Sequence, residues 1–243
     1  MTPMTPTLPE RREPVWGYQD LALFVGAALP VWALASVLLF LAGALAPRVI
    51  FNTTARQLTL QFFLYVLLTG VLYILVARRY GEPFWKAMGW TFPIPRAGAC
   101  LLAGPVLAIA LSATGVLLKA PTENSSIEDM ITSRAALAWF ILFGVVFAPI
   151  FEELLFRGFL LPLVVRSMGP WLGIGLTSLL FGLLHGAQNH WAWQQIVLIG
   201  AAGAAFGFMR YRTGSTTAGF LMHAAYNATA FAGYTLTHWA VLS

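Results

Sequence analysis

The stretch WFILFGVVFAPIFEELLFRGFLLPLVV, from Trp139 to Val165, is apolar throughout except for Glu152, Glu153 and Arg157. As a helix rising about 1.5 Å per residue it is long enough to cross a hydrocarbon core of about 30 Å. A carboxylate at the centre of such a span costs roughly 2.5 to 3.5 kcal/mol on insertion scales, so two adjacent ones need a compensating role. No other acidic residue occurs between Ile131 and the C-terminus. The pair therefore stands out as the place where chemistry is expected.

The 243 residues are 59% hydrophobic and only 9% charged, far from the roughly 25% charged of soluble domains. Apolar runs at about 20–46, 57–77, 97–118, 135–161, 170–187, 193–210 and 215–241 predict seven membrane spans, or eight if a late segment divides. The expected fold class is an all-α, polytopic transmembrane helix bundle, because barrel strands would be near ten residues long and would alternate polar with apolar. Arg11, Arg12, Arg78, Arg79, Lys86, Arg96, Arg166, Arg210 and Arg212 fall on one side of seven spans. Arg48, Arg56, Lys119 and Arg134 fall on the other. Nine against four predicts a cytoplasmic N-terminus, and cations scattered through loops argue against a nucleic-acid partner.

The first residues, MTPMTPTLPERREP, have the composition of a disordered tail. Asn52 and Asn124 begin sequons on the expected outer side, and the single Cys100 permits no internal disulfide. Residues 81–96 combine aromatic, basic and proline residues, as an interfacial segment does. Gly169/Gly173, Gly182/Gly186 and Gly203/Gly207 each lie four apart, which suits close helix packing within one bundle.

On a helix Glu153 and Arg157 share a face and can pair, whereas Glu152 points about 100° away and has no intrahelical partner. Pro149 disturbs the helix just before them. In FGLLH (181–185) Phe181 and His185 are four apart, and in HAAYN (223–227) so are His223 and Asn227. His185 is expected deep within its span, while His190 and His238 are expected at interfaces. Intramembrane polar residues face the bundle interior and one another. Glu152, His185, His223 and Asn227 would together supply a base for water and donors for an oxyanion. The plainer alternative is a set of buried polar contacts that only lock helices together. Ser178 lies seven residues before His185 but lacks an Asp to complete a triad. Glu152, His185 and His223 would also serve as three ligands for a metal with an open position, although HExxH spacing is absent.

The three motifs EELLFR (152–157), FGLLH and HAAYN, in that order on separate spans, resemble the CPBP family of intramembrane proteases. That family comprises CAAX prenyl proteases of the Rce1 type and bacterial Abi relatives linked to bacteriocin processing and self-immunity. The resemblance covers about residues 135 to 230. It implies that Glu152 and His185 activate the hydrolytic water and that His223 and Asn227 hold the oxyanion. Glu153, Arg157 and Phe181 would support the site. The implied function is hydrolysis of a peptide bond in a membrane-associated protein or peptide, near the cytoplasmic surface of a bacterial plasma membrane. The cofactor stays open between a divalent metal such as Zn2+ and none. The expected organisation is a tail at 1–18, supporting spans at 19–130 and a catalytic core at 131–243, forming a single membrane domain. Competing readings are a non-catalytic scaffold or bacteriocin self-immunity factor, and a proton-coupled transporter using the same Glu and His as a relay.

Overall fold

The computed structural model describes residues 13–46, 53–94, 96–121, 128–240 and 242. The chain folds into long antiparallel helices. They are α1 (Tyr18–Leu45), α2 (Thr53–Tyr73, continued by a π-turned stretch Ile74–Arg78), a short α3 (Phe84–Ala87), α4 (Ala97–Leu117), α5 (Arg134–Met168), α6 (Pro170–Leu184), α7 (Trp193–Thr213) and α8 (Thr216–His238). No strand occurs among the described residues. Helices α1, α2, α4 and α5 are long and apolar enough to cross a membrane, which makes this an integral membrane protein. The seven expected spans all appear as helices, but three differ from a full apolar crossing: α7 and α8 are long enough at 21 and 23 residues but less apolar than the four. Helix α6 is apolar but only 15 residues long, about 22 Å and short of a full crossing.

The 35-residue α5 is not one regular helix. It widens into π-turns at Phe143–Phe147 and again at Leu154–Leu160. After the first, the Ala148 N–H bonds five residues back to the Phe143 carbonyl. Pro149 comes next and has no N–H to give the Gly144 carbonyl. Asn227 Nδ2 from α8 donates to that carbonyl instead, at 2.7 Å. After the second, the Leu161 N–H reaches back to Phe156, Pro162 follows, and the Arg157 carbonyl accepts from Arg210 Nε of α7 at 3.3 Å. Twice, a π-turn followed by a proline releases a carbonyl that a later helix takes up. Such irregular backbone is tolerated at membrane depth only when it is satisfied within the protein.

The two ends of the bundle differ. At one end Asp20 of α1 accepts from the Gly17 N–H and from Tyr80 Oη, and Arg166 donates to the carbonyls of Pro14 and Trp16. Trp16 is buried, stacks on Phe159 and donates to its carbonyl. Of the tail expected over 1–18, residues 1–12 lie outside the described residues, while Pro14 and Trp16 are buried and held against the bundle. This end carries Arg78, Arg79, Lys86, Arg96, Arg166, Arg210 and Arg212. Here α3 and the turn after it close the bundle, with buried Met88 against Gly158 and the Met88 carbonyl accepting from Thr216 Oγ1. The opposite end is tied by Thr54 donating to the Met130 carbonyl and by Arg134 over the Trp239 ring. It carries only Arg56, Lys119 and Arg134 among described residues; Arg48, Asn52 and Asn124 lie outside them.

The glycine pattern serves packing within the chain. A Cβ on Gly182 would meet the Ile196 carbonyl of α7, and one on Gly203 would come within 3.0 Å of Phe181. Gly169 instead ends α5 at φ 79°, a conformation that glycine adopts without strain. Cys100 is buried in a cluster with Phe206 and Met222, which joins α4 to α7 and α8.

Candidate active site

Three helices bring the expected residues to one place. A cavity of about 550 Å³ is lined by Glu152 of α5, Phe181 of α6, His185 just beyond α6, and His223 and Asn227 of α8. Glu153 and Arg157 lie behind the cavity wall, 0% and 3% exposed. The 100° between consecutive residues thus separates the two carboxylates into one that faces the cavity and one that faces protein.

Glu153 binds the site together from behind. Its Oε1 accepts from Arg157 Nη1 at 2.9 Å and from His223 Nδ1 at 3.0 Å. Arg157 also donates to the Gly203 carbonyl at 2.7 Å, and its guanidinium lies 4.7 Å from the Phe181 ring centroid. Because a carboxylate oxygen accepts, Nδ1 of His223 carries the proton. That leaves Nε2 facing Glu152 Oε2 at 3.8 Å. Phe206 stacks on the imidazole at 4.4 Å and holds its plane. The second oxygen of Glu153 is buried without a hydrogen-bond partner. It sits where a Cβ on Gly219 would be 2.7 Å away, so the bare α8 backbone leaves room for it.

His185 caps the end of α6 rather than lying deep in a span. The difference follows from α6 stopping at Leu184, after which a 3₁₀ turn over Ala187–Asn189 redirects the chain. Its Nδ1 is 2.7 Å from the Phe181 carbonyl. A carbonyl can only accept, so Nδ1 holds the proton and Nε2 of the neutral ring is free to accept one. Phe181 packs at 4.5 Å against this ring and edge-on at 5.9 Å against His223. Asn227 gives one amide hydrogen to the Gly144 carbonyl and keeps a second.

One contributor was absent from the sequence reading. Tyr65 of α2 lines the same cavity, and its hydroxyl donates to Glu152 Oε1 at 3.2 Å. Its ring is stacked against Phe151 at 4.2 Å and Phe143 at 5.7 Å. Glu152, which has no partner on its own helix, gains one from α2. A signal for this existed: Gln57, Gln61 and Tyr65 recur every four residues along one face of a largely apolar helix and all three line the cavity.

The alternatives weighed on sequence separate here. The Ser178 hydroxyl is buried without a partner and does not line the cavity. His190 and His238 are exposed. Among the described residues no three His, Cys, Asp or Glu side chains gather as a metal site. Glu152 and His223 approach each other, but His185 does not complete a ligand cluster with them.

Residues 134–229 match the family model described as type II CAAX prenyl endopeptidase, Rce1-like. The match contains all three motifs and leaves out Tyr65. No curated protein and no solved structure matches the chain.

The Glu153 pocket makes a direct prediction. Gly219→Ala forces a methyl group onto the second Glu153 oxygen, and overpacking of this kind costs about 1–3 kcal/mol. The thermal midpoint of the purified protein in detergent is expected to fall, while Gly175→Ala, in the interior of α6 where nothing lies within 4 Å of the added carbon, does not lower it and raises it by alanine's better helix propensity.

Proposed function

From the premise that residues 134–229 are an Rce1-like segment, we propose that this protein is an intramembrane endopeptidase that hydrolyses a peptide bond in a membrane-associated protein or peptide. The observation that carries the reading is the convergence of Glu152, His185, His223 and Asn227 on one cavity. Water in that cavity is the nucleophile. Glu152 and the unprotonated Nε2 of His185 orient it and take its proton as oxygen attacks the scissile carbonyl. The oxyanion forms beside α8. Asn227 donates its remaining amide hydrogen to it, and His223 donates from Nε2 when the ring is an imidazolium, its Nδ1–H being held by Glu153. The proton taken from water then passes to the departing amine as the C–N bond breaks.

Each supporting residue has a defined task in this scheme. Glu153 and Arg157 fix the direction of His223, Phe181 fills the space between the two imidazoles, and Tyr65 holds the Glu152 carboxylate against rotation. Glu152, His185 and His223, the three ligands a metal would need, do not gather as one group among the described residues, and no step of this scheme runs through a metal. The substrate would be of the CAAX type or the bacteriocin type, the two chemistries handled in the family that the motifs resemble.

Comparison of peptide termini in membrane proteomes tests the reading without a guess about substrate. Cells expressing the intact chain are compared with cells expressing Glu152→Ala or His185→Ala at matched abundance. New termini are expected only with the intact chain. Identical termini in all three, with any cellular phenotype retained by Glu152→Ala, would instead make the protein a scaffold or immunity factor.

Once a substrate is in hand, Tyr65→Phe keeps the ring stack and removes the hydroxyl. A hydrogen bond to a charged group is worth about 1.5–3 kcal/mol, so kcat is expected to fall at least about tenfold. KM should stay as it is, and the melting midpoint should fall, because the same bond is present in the resting protein. A rise in KM with unchanged kcat would show that Tyr65 only contacts substrate.

A further inference from the structure

We propose that the cavity takes its substrate from the extracytoplasmic side of the membrane, so that the peptide cut is one exposed on the outer surface rather than one presented from the cytosol. This deepens the protease reading and rests on it.

Two independent asymmetries of the bundle lead there. The first is the direction in which the cavity opens. Its outermost lining residues are Gln57 in the first turns of α2, Met130 just ahead of α5, Gln188 beyond α6, and Tyr234 near the end of α8. All four belong to the end that carries few cations. His223 lies eleven residues below Tyr234 along α8 and Tyr65 eight below Gln57 along α2, which sets the chemistry about 12 to 16 Å beneath that surface. The short α6 ends on this side, and with it His185. Toward the other end the way is blocked by Met88, packed on Gly158 and bonded to Thr216. A second cavity of about 510 Å³ does open at that end, beside Lys86 and Arg166, but none of Glu152, His185, His223 and Asn227 lines it.

The second asymmetry is charge. Seven lysines and arginines of the described residues sit at the closed end and three at the open end. Cytoplasmic loops carry the excess of Lys and Arg, which turns the closed end to the cytoplasm and the open end outward. The expectation of cleavage near the cytoplasmic surface and that of a cytoplasmic N-terminus are therefore incompatible in this fold, and the charge distribution favours the N-terminus.

The mouth also describes what would enter. Gln57, Gln61 and Gln188 offer neutral amides that can pair with extended backbone, and among the described residues no lysine or arginine lines the cavity. Such a lining suits an internal, uncharged stretch of an exported or outer-leaflet peptide.

Thiol labelling in intact bacterial cells tests this without measuring cleavage, so its failure and a failure of the protease reading are distinguishable. With Cys100→Ala as background, single cysteines are placed by Gln57→Cys at the open end and Lys86→Cys at the closed end, both exposed positions. A membrane-impermeant charged maleimide is expected to label Gln57→Cys in intact cells and Lys86→Cys only after permeabilisation. The reverse pattern, labelling of both in intact cells, or labelling of Gln57→Cys only after permeabilisation would each overturn the proposal. Denatured samples confirm that both thiols react.

Discussion

A carboxylate sealed from water needs partners within the protein, and Glu153 draws its partners from two helices. Removing one member of a buried ion pair costs about 3–5 kcal/mol because the other is left uncompensated. Arg157 is therefore bound to Glu153, and Arg157 in turn takes the Gly203 carbonyl of α7. The same Glu153 oxygen takes the Nδ1 proton of His223 on α8. One anion thus sets the spacing of α5, α7 and α8 and decides which nitrogen of His223 meets the cavity. Its neighbour Glu152, turned by one residue, is left for the open side.

The departures from regular helix have a common purpose. In α5, two π-turns are each followed by a proline, and each combination frees a carbonyl that a side chain of a later helix takes up, Asn227 in one case and Arg210 in the other. A regular helix would spend those carbonyls internally and offer α7 and α8 nothing polar to hold. Helix widening at such points is common at functional sites. Here it fastens Asn227 of α8 to the helix that carries Glu152.

Much of this was legible in the residues. Apolar runs located the helices, and spacing of four located Glu153 against Arg157 and Phe181 beside His185. The isolation of Glu152 and Glu153 among apolar residues marked the centre. What escaped was set by geometry that local pattern does not encode. Pro149 and Pro162 mark disturbed helix, but neither reveals a π-turn or the side chain that compensates it. His185 looked deep because the apolar run continues to residue 187, whereas the helix stops at Leu184 and turns. Tyr65 passed unnoticed because a tyrosine in a span reads as ordinary apolar bulk. Its partnership with Glu152 depends on how α2 crosses α5, although the recurrence of Gln57, Gln61 and Tyr65 did mark a polar face. The opening of the cavity away from the basic end could be seen only once the helix ends were in place.

The claim on which the account stands is that this chain itself adds water across a peptide bond using Glu152. The most direct test reconstitutes the purified protein in lipid vesicles with a membrane-peptide substrate in water enriched in oxygen-18. The account predicts new carboxyl termini that carry the heavy oxygen, formed by the intact chain and absent with Glu152→Gln. Cleavage that persists at the same rate in Glu152→Gln, or no labelled terminus from the folded intact chain with a substrate it cuts in cells, would contradict it.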